Sequence, residues 1–261
     1  MDYSNITFET ANKVATITLN RPDRMNAVSN PLLDEFEDAL TRVVDEGAGA
    51  LILTGAGRAF CSGADLEEMN NIPRETRDMG ARLEARLNPL LERFREFPVP
   101  IVSAVNGPAA GAGMGLAIAA DIVVAARSAY FLCPFSKVGL VPDVGTTWML
   151  PRLVGKARAT GIMLLGERIP AEKAETWGLI WQMVEDDQLH SVAFNLAAQL
   201  ANGAGFALNR TRQAIHASLE SDFVTSLALE CKNQRDCGRT ADHFEGVTAF
   251  REKRPPKFIG A

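Results

Sequence analysis

Two bends and one acid carry the residue types from which chemistry could be built. In Ser62-Gly-Ala-Asp-Leu66 a strand runs into a glycine-containing bend and a helix start. In Ala104-Val-Asn-Gly-Pro-Ala-Ala-Gly-Ala-Gly-Met-Gly-Leu-Ala-Ile-Ala-Ala-Asp121 the apolar run from Ile101 to Val105 breaks at Asn106-Gly107. It then crosses a tract of small residues and enters a helix at about Gly111. Gly111 and Gly113 let another chain or molecule come close to the backbone. The first turn of a helix has N–H groups with no partner inside the helix, and its dipole favours negative charge there. Two such bends can converge on one oxygen, the geometry of an oxyanion hole. They are also two ordinary strand-to-helix turns in a close-packed core, and spacing by itself favours that plainer reading. The acid is Asp143, in Gly139-Leu-Val-Pro-Asp-Val-Gly. On residue type alone, Pro-Asp ahead of a helical segment is an N-cap.

The other reactive side chains form no constellation. His190, His216 and His243 are scattered, and Cys61, Cys133, Cys231 and Cys237 have neither disulfide nor zinc spacing. Reduced thiols and no metal are expected. A net charge of -5 speaks against a nucleic-acid partner. No apolar run is long enough to span a bilayer, so no membrane partner is expected. Met1-Asp-Tyr-Ser-Asn lacks the basic start and apolar core of a signal peptide, and Phe258-Ile-Gly-Ala is not a peroxisomal address. The expected location is cytoplasmic.

The elements that must hold the bends are an alternation of strands and helices. Ile6-Thr-Phe-Glu and Val14-Ala-Thr-Ile-Thr-Leu, joined at Asn12-Lys13, read as a hairpin. Ser29-Asn-Pro31 starts a helix through Val44, with the proline in the first turn where it fits. Ala50-Leu-Ile-Leu-Thr is a buried strand leading to the first bend. Residues 73–97 read as one charged helix with Leu83, Leu87, Leu90, Leu91 and Phe94 on its apolar side, stopped by Pro98 and Pro100. Further strands are expected at 121–126, 129–133 and 179–184, and helices at 144–166 and 171–178. This is an α/β pattern. Everything from about Asp187 onward reads as helical, with a soft boundary near residue 195. That leaves a core of residues 1–195 and a helical region of residues 196–261. At roughly 60 residues the tail is below the usual size for folding alone, so it packs on its own core, on a neighbouring subunit, or on both. The 261 residues, 47% hydrophobic and 23% charged, suit that arrangement.

Several stretches, in order, resemble the enoyl-CoA hydratase/isomerase (crotonase) superfamily. They are Asn20-Arg-Pro, Leu53-Thr-Gly-Ala-Gly-Arg-Ala-Phe-Cys-Ser-Gly-Ala-Asp-Leu66, Ala104-Val-Asn-Gly107 with its glycine tract, Val138-Gly-Leu-Val-Pro142 and Glu245-Gly-Val-Thr-Ala-Phe-Arg-Glu-Lys-Arg254. The resemblance runs over nearly the whole chain. It implies a crotonase-like spiral of ββα turns with a C-terminal helical trimerisation region, assembled as a homotrimer or a hexamer of two trimers. It implies an acyl-CoA thioester as substrate and no separate cofactor. Carried over position by position, the two oxyanion N–H groups fall on Ala64 and Ala112. Many members have glycine at the second position; alanine keeps the donor provided its φ is negative. The coenzyme A adenine and pyrophosphate fall near Arg24, Met25 and Ala27, and near Ser62, Asp65 and Leu66. Lys253 and Arg254 are further candidates for a phosphate.

The resemblance also reweighs the acids. The two glutamates with which hydratases of this family act on water map to Gly115 and Phe135, neither of which can move a proton. Asp143 lies where several isomerases of the family place a carboxylate. The stretch Phe135–Leu153, with Gly155-Lys-Ala-Arg-Ala and Trp177-Gly-Leu-Ile-Trp-Gln, looks closest to the epoxyphenylacetyl-CoA isomerase type of aerobic phenylacetate degradation; Thr146 departs from the glycine usual in that motif. The expectation is an acyl-CoA isomerase with Asp143 as general acid/base. The rivals are a hydratase using another acid and a non-catalytic subunit that binds coenzyme A esters. Apolar neighbours should raise the pKa of Asp143. Asp65, Glu67 and Glu68 are expected to be helix-start charges.

Overall fold

The computed structural model describes residues 3–65, 67–68 and 73–260. Strands β1 (Ile6–Ala11) and β2 (Val14–Leu19) form the expected hairpin, with Asn12 and Lys13 at φ 52° and 63°. Two successive left-handed residues give the turn whose twist matches paired antiparallel strands. Strands β3 (Ala50–Gly55), β4 (Ile101–Val105), β6 (Ile122–Ala126) and β9 (Gln182–Val184) join them in a six-stranded sheet of order β1-β2-β3-β4-β6-β9, parallel from β2 onward. Every residue of β3 and β4 is buried, as continuous apolar runs in a parallel sheet covered on both faces should be. The helix Asn30–Asp45 starts where expected. The Ser29 side chain accepts from Leu32 N–H, Pro31 lies in the first turn, and Leu32, Leu33, Phe36, Leu40 and Val43 face inward.

A second sheet, of order β5-β7-β8, was not expected. It consists of Ala109–Ala110, Tyr130–Leu132 and Arg168–Pro170. The strand Tyr130–Leu132 falls within the expected run 129–133, whereas Ala109–Ala110 and Arg168–Pro170 are too short to show a period. The last strand of the large sheet begins at Gln182 rather than Leu179. Gly178 and Leu179 close the preceding helix, their N–H groups donating to Glu175 O and Ala174 O.

The segment 73–97 is not one regular helix. It holds a 3₁₀ turn (Arg74–Thr76), an α-helix (Met79–Arg82), a π-turn (Leu83–Leu87) and a second α-helix (Asn88–Arg95). The Asn88 N–H reaches five residues back to Leu83 O. Pro89, which has no N–H, follows at once and cannot continue the regular ladder.

The helix Leu189–Ala201 runs through residue 195 and packs on strands of the large sheet. The helices that stand beyond it are Gly205–Ser218, Phe223–Cys237 and Ala241–Glu252. Arg212, on the first of these, is tied into the core by Asp121 at 2.7 Å and by Phe97 O. These helices leave Phe223, Val224, Phe244 and Phe250 exposed, and a groove of about 960 Å³ on them is lined in part by Ile215, Val247, Phe250 and Phe258. The tail folds back on the last helix: Asp242 accepts from the N–H groups of Ile259 and Gly260, and Glu245 from Lys257 N–H. Among the described residues no helix is long and apolar enough to cross a membrane.

Candidate active site

The two bends are sewn to each other and to the loop after β2. Ser62 N–H donates to Met25 O at 2.9 Å, Val28 N–H to Gly63 O at 2.7 Å and Asp65 N–H to Val28 O at 3.0 Å. In this parallel bridge between Val28 and Ala64, residues 63 and 65 take the bonds. The Ala64 N–H is left over, and among the described residues it meets no acceptor. The second bend lies alongside: Cys61 N–H donates to Pro108 O at 3.1 Å, Ala110 N–H to Cys61 O at 2.9 Å and Gly111 N–H to Leu132 O at 2.9 Å. The helix Ala112–Ile118 then begins, and the Ala112 N–H is one of its first-turn donors without a partner among the described residues.

The contact between the bends explains their glycines. Gly63 sits at φ 101°, and a Cβ there would lie 2.9 Å from Ala110 O and 3.5 Å from the Ala112 nitrogen. A Cβ on Gly113 would lie 2.2 Å from Cys61 O. The positive φ of the second bend falls on Gly111, at 53°, and not on Ala112, which opens the helix. The condition that alanine must meet to serve as a donor there is therefore satisfied. The Phe135 ring, 8% exposed, lies over this bend, its Cζ 3.7 Å from where a Cβ on Gly111 would be.

Asp143 is not a helix cap. The helix Thr146–Leu165 is capped by Gly145, with no side-chain bond. Asp143 contributes its carbonyl to Thr146 N–H at 3.0 Å, while its Oδ1 is buried and has no hydrogen-bond partner. Burial pushes this carboxyl up to about 6, against the smaller opposing pull of its own N–H and of the Arg82 charge. That elevation, expected from apolar neighbours, comes from the fold more than from sequence neighbours. Val144 is buried, but Val138 and Val141 are 65% and 79% exposed. The Cys133 thiol is raised to about 11 by burial and next by the nearby Asp143 charge, so it stays protonated. Thr146 is buried, and its Oγ1 has no partner.

Arg82 belongs to this site and was not anticipated, because its segment reads as a solvated charged helix. Its guanidinium donates to Val28 O at 2.9 Å, the carbonyl that also receives Asp65 N–H, and lies 3.6 Å from Glu68. Its Nε is buried and unpartnered. Further along the same segment, Leu91 Cδ1 lies 3.5 Å from where a Cβ on Gly145 would be. Residues 79–95 therefore run from the first bend to the turn that carries the acid.

Of the residues expected near coenzyme A, Arg24, Met25, Ala27, Ser62 and Asp65 are brought together, with different freedoms. Arg24 is exposed and pairs with Glu67 at 2.5 Å. Met25 and the buried Asn26 are both left-handed, at φ 50° and 57°, and the Asn26 amide holds Ala56 O and Ala59 O. Ala27 O accepts from Arg21 at 2.6 Å, and Ser62 Oγ reaches Arg24 O at 3.4 Å. The Asp65 carboxylate is already engaged, with Arg21 at 2.9 Å and Glu67 N–H at 3.1 Å. Burial works to raise its pKa, but the Arg21 contact and that N–H together hold it below the usual value. Asp65 thus fastens the loop, as a helix-start charge, and its side chain is not free for a ligand. Leu66 lies outside the described residues. Arg254 is held by Glu245 and Glu252 of its own chain, at 2.7 and 2.6 Å.

Two adjacent unbonded N–H groups and a half-buried acid with a raised pKa are the parts of a proton-transfer site that stabilises negative charge on a carbonyl oxygen. Comparison with known proteins points the same way. The sequence profile described as enoyl-CoA hydratase/isomerase matches residues 9–261. The chain is 47% identical to the 1,2-epoxyphenylacetyl-CoA isomerase of Escherichia coli (strain K12) over 249 residues, 95% of each chain. It is 45% identical over 260 residues, all of both chains, to a protein of Rhodobacter capsulatus named probable enoyl-CoA hydratase. The crystal structure of an enoyl-CoA hydratase from Bacillus anthracis superposes with a TM-score of 0.93 at 33% identity, covering 99% of this chain and 100% of the other. The fold is that of the crotonases, and the chain belongs to the enoyl-CoA hydratase/isomerase family.

Proposed function

We propose that this protein is an acyl-CoA isomerase with one acid/base, Asp143, and two backbone donors, Ala64 and Ala112. The observation that carries the reading is the buried, unpartnered carboxyl oxygen of Asp143, in a site whose other two acid positions hold Gly115 and Phe135. The thioester carbonyl of the substrate accepts from both N–H groups. The Asp143 carboxylate removes a proton from the carbon next to that carbonyl. The electron pair moves onto the thioester oxygen, where each donor contributes on the order of 3 kcal/mol. The same carboxyl then returns the proton two carbons away, and the double bond has migrated with no atom gained or lost. A pKa of about 6 suits both halves of this exchange: the carboxyl is ionised near neutrality yet acidic enough to give the proton back.

Asp143→Asn should abolish migration of the double bond in a 3-enoyl-CoA, with binding of the coenzyme A ester preserved. Wild-type turnover in that variant would overturn the assignment. The more specific substrate, a ring epoxide of phenylacetyl-CoA rearranged to an oxepin, is supported by the E. coli relative at 47% identity. Turnover of that epoxide by the purified protein tests it. Hydration is the second reading, favoured by the name of the R. capsulatus relative. Rapid loss of crotonyl-CoA absorbance in water would establish it over isomerisation. The apolar residues around the C-terminal groove support a homotrimeric or homohexameric assembly, which sedimentation would measure.

A further inference from the structure

The helix Ala112–Ile118 carries two positions that meet different halves of the site. Its first residue offers the Ala112 N–H. Its fourth, Gly115, about 4.5 Å further along the axis at 1.5 Å per residue, faces the turn that holds the acid. A Cβ on Gly115 would lie 2.6 Å from Val144 O and 2.8 Å from both Val144 Cβ and Cγ1. Real side chains do not approach so closely, and here part of the obstacle is backbone, which cannot rotate away.

Val144 is itself unusual. It is β-branched, buried and held at φ 50°, next to Gly145 at 69°. A β-branched residue in the left-handed region is strained and persists only where its surroundings dictate it. The surroundings here are the bare Cα of Gly115 on one side, and Leu91 and Met149 against Gly145 on the other. The groups that act on the Asp143 carboxyl are its own N–H and Arg82, and the carboxyl in turn acts on the Cys133 thiol.

We propose that Gly115 is a positioning residue for Asp143: the absence of a side chain there seats the Asp143–Gly145 turn on the helix that supplies the Ala112 donor, and so fixes the acid relative to the developing oxyanion. The proposal rests on the one-acid reading above. It deepens that reading, because the space a second acid at position 115 would need is the space the turn occupies. Gly115 does not merely lack a glutamate; the turn leaves no room for one.

The test is Gly115→Ala, with Val144→Ala as a second variant that loosens the same contact from the other side without adding an atom. Both are assayed for double-bond migration across pH, alongside Asp143→Asn. In the positioning role kcat falls at least tenfold for Gly115→Ala and severalfold for Val144→Ala, while KM stays within about twofold because the nearest neighbours of a Cβ at position 115 belong to Val144 and not to the coenzyme A loop. The acid limb of kcat/KM, expected near pH 6 for the wild type, moves to lower pH in whichever variant folds, as water reaches the carboxyl. Unchanged kcat and an unmoved limb would overturn the proposal, as would a rise in KM alone. If Asp143→Asn keeps full turnover, the one-acid reading itself has failed, a result separable from failure at position 115.

Discussion

The two halves of the site are built on opposite plans. The donor half is backbone: bends at 62–65 and 109–113 and the loop at 25–28, joined by main-chain bonds of 2.7–3.1 Å. Gly63 and Gly113 are fixed there by the contacts of 2.9 and 2.2 Å that a Cβ would make, and Gly111 by its φ of 53°. The acid half is one side chain on a turn with two successive left-handed residues, and it holds polar atoms at Asp143 and Thr146 that are buried without partners. The first half is an extension of the sheet and is stable for the same reason the sheet is. The second carries a desolvated carboxyl, a cost to the fold that a catalytic role would require. The contrast predicts where changes act: backbone geometry governs one half, charge and solvation the other.

The largest effect should come from the acid and should be double-edged. The folded-state pKa of Asp143, about 6, lies above the unfolded value near 4. The folded state therefore holds its proton more tightly than the unfolded state. Relative to an ionisable side chain that is unshifted, it is favoured at pH below 4 and loses that advantage as pH rises through 6. At pH 7 to 8 the ionised carboxylate destabilises the fold by about 1–2 kcal/mol, allowing for its partial exposure. Asp143→Asn should lower turnover by on the order of a thousandfold. It should also raise thermal stability at pH 8, with the gain vanishing near pH 4. Calorimetry at the two pH values, beside the activity assay, checks both. A variant that is inactive yet no more stable at pH 8 would mean that the carboxyl is better solvated than its surroundings indicate.

Next in size is the donor half. Gly63→Ala puts a Cβ at φ 101° and 2.9 Å from Ala110 O, which pushes the bends apart next to the Ala112 nitrogen. Loss of one aligned donor is worth roughly a hundredfold in kcat. The pH profile should keep its acid limb near 6, because Asp143 is untouched. A fall in kcat with a displaced limb would show that the halves are coupled through more than the Ala112 helix.

How much of this can be read from the residues follows the same division. The continuous apolar runs 50–54 and 101–105 mark the strands, and the glycines after them mark the bends, because buried parallel strands and close backbone approaches each demand particular residues. That the bends touch is a long-range fact, visible beforehand only through family likeness. The acid half is less legible. Pro142-Asp143 has the composition of a cap, and only the backbone shows that Gly145 takes that place. Arg82 lies in a stretch whose charges look solvated, and its bond to Val28 O joins residues 54 apart in the chain, which periodicity does not connect.

Arg82 gives a smaller effect, opposite in sign to that of loosening the turn. Its positive charge lowers the carboxyl against the pull of burial. Arg82→Met should move the acid limb above pH 6 and cost activity mainly below neutrality, and Arg82→Lys should restore part of the shift. The pH dependence of kcat/KM measures it. A limb that stays in place would make Arg82 a support for the Val28 carbonyl alone.

The smallest effect should be Ala112→Gly. The donor at this position is a main-chain N–H, and the left-handed conformation that would exclude alanine is already taken by Gly111. Replacing the methyl group changes neither the donor nor the first-turn geometry. It adds only the backbone freedom of glycine near a helix start, below 1 kcal/mol. Turnover should stay within about threefold of wild type, and the acid limb should not move. A large loss would mean that the Ala112 methyl group, 3% exposed, packs against the acyl chain and that side chains matter in the donor half after all. The division between a backbone half and a side-chain half would then have to be redrawn around the substrate instead of the fold.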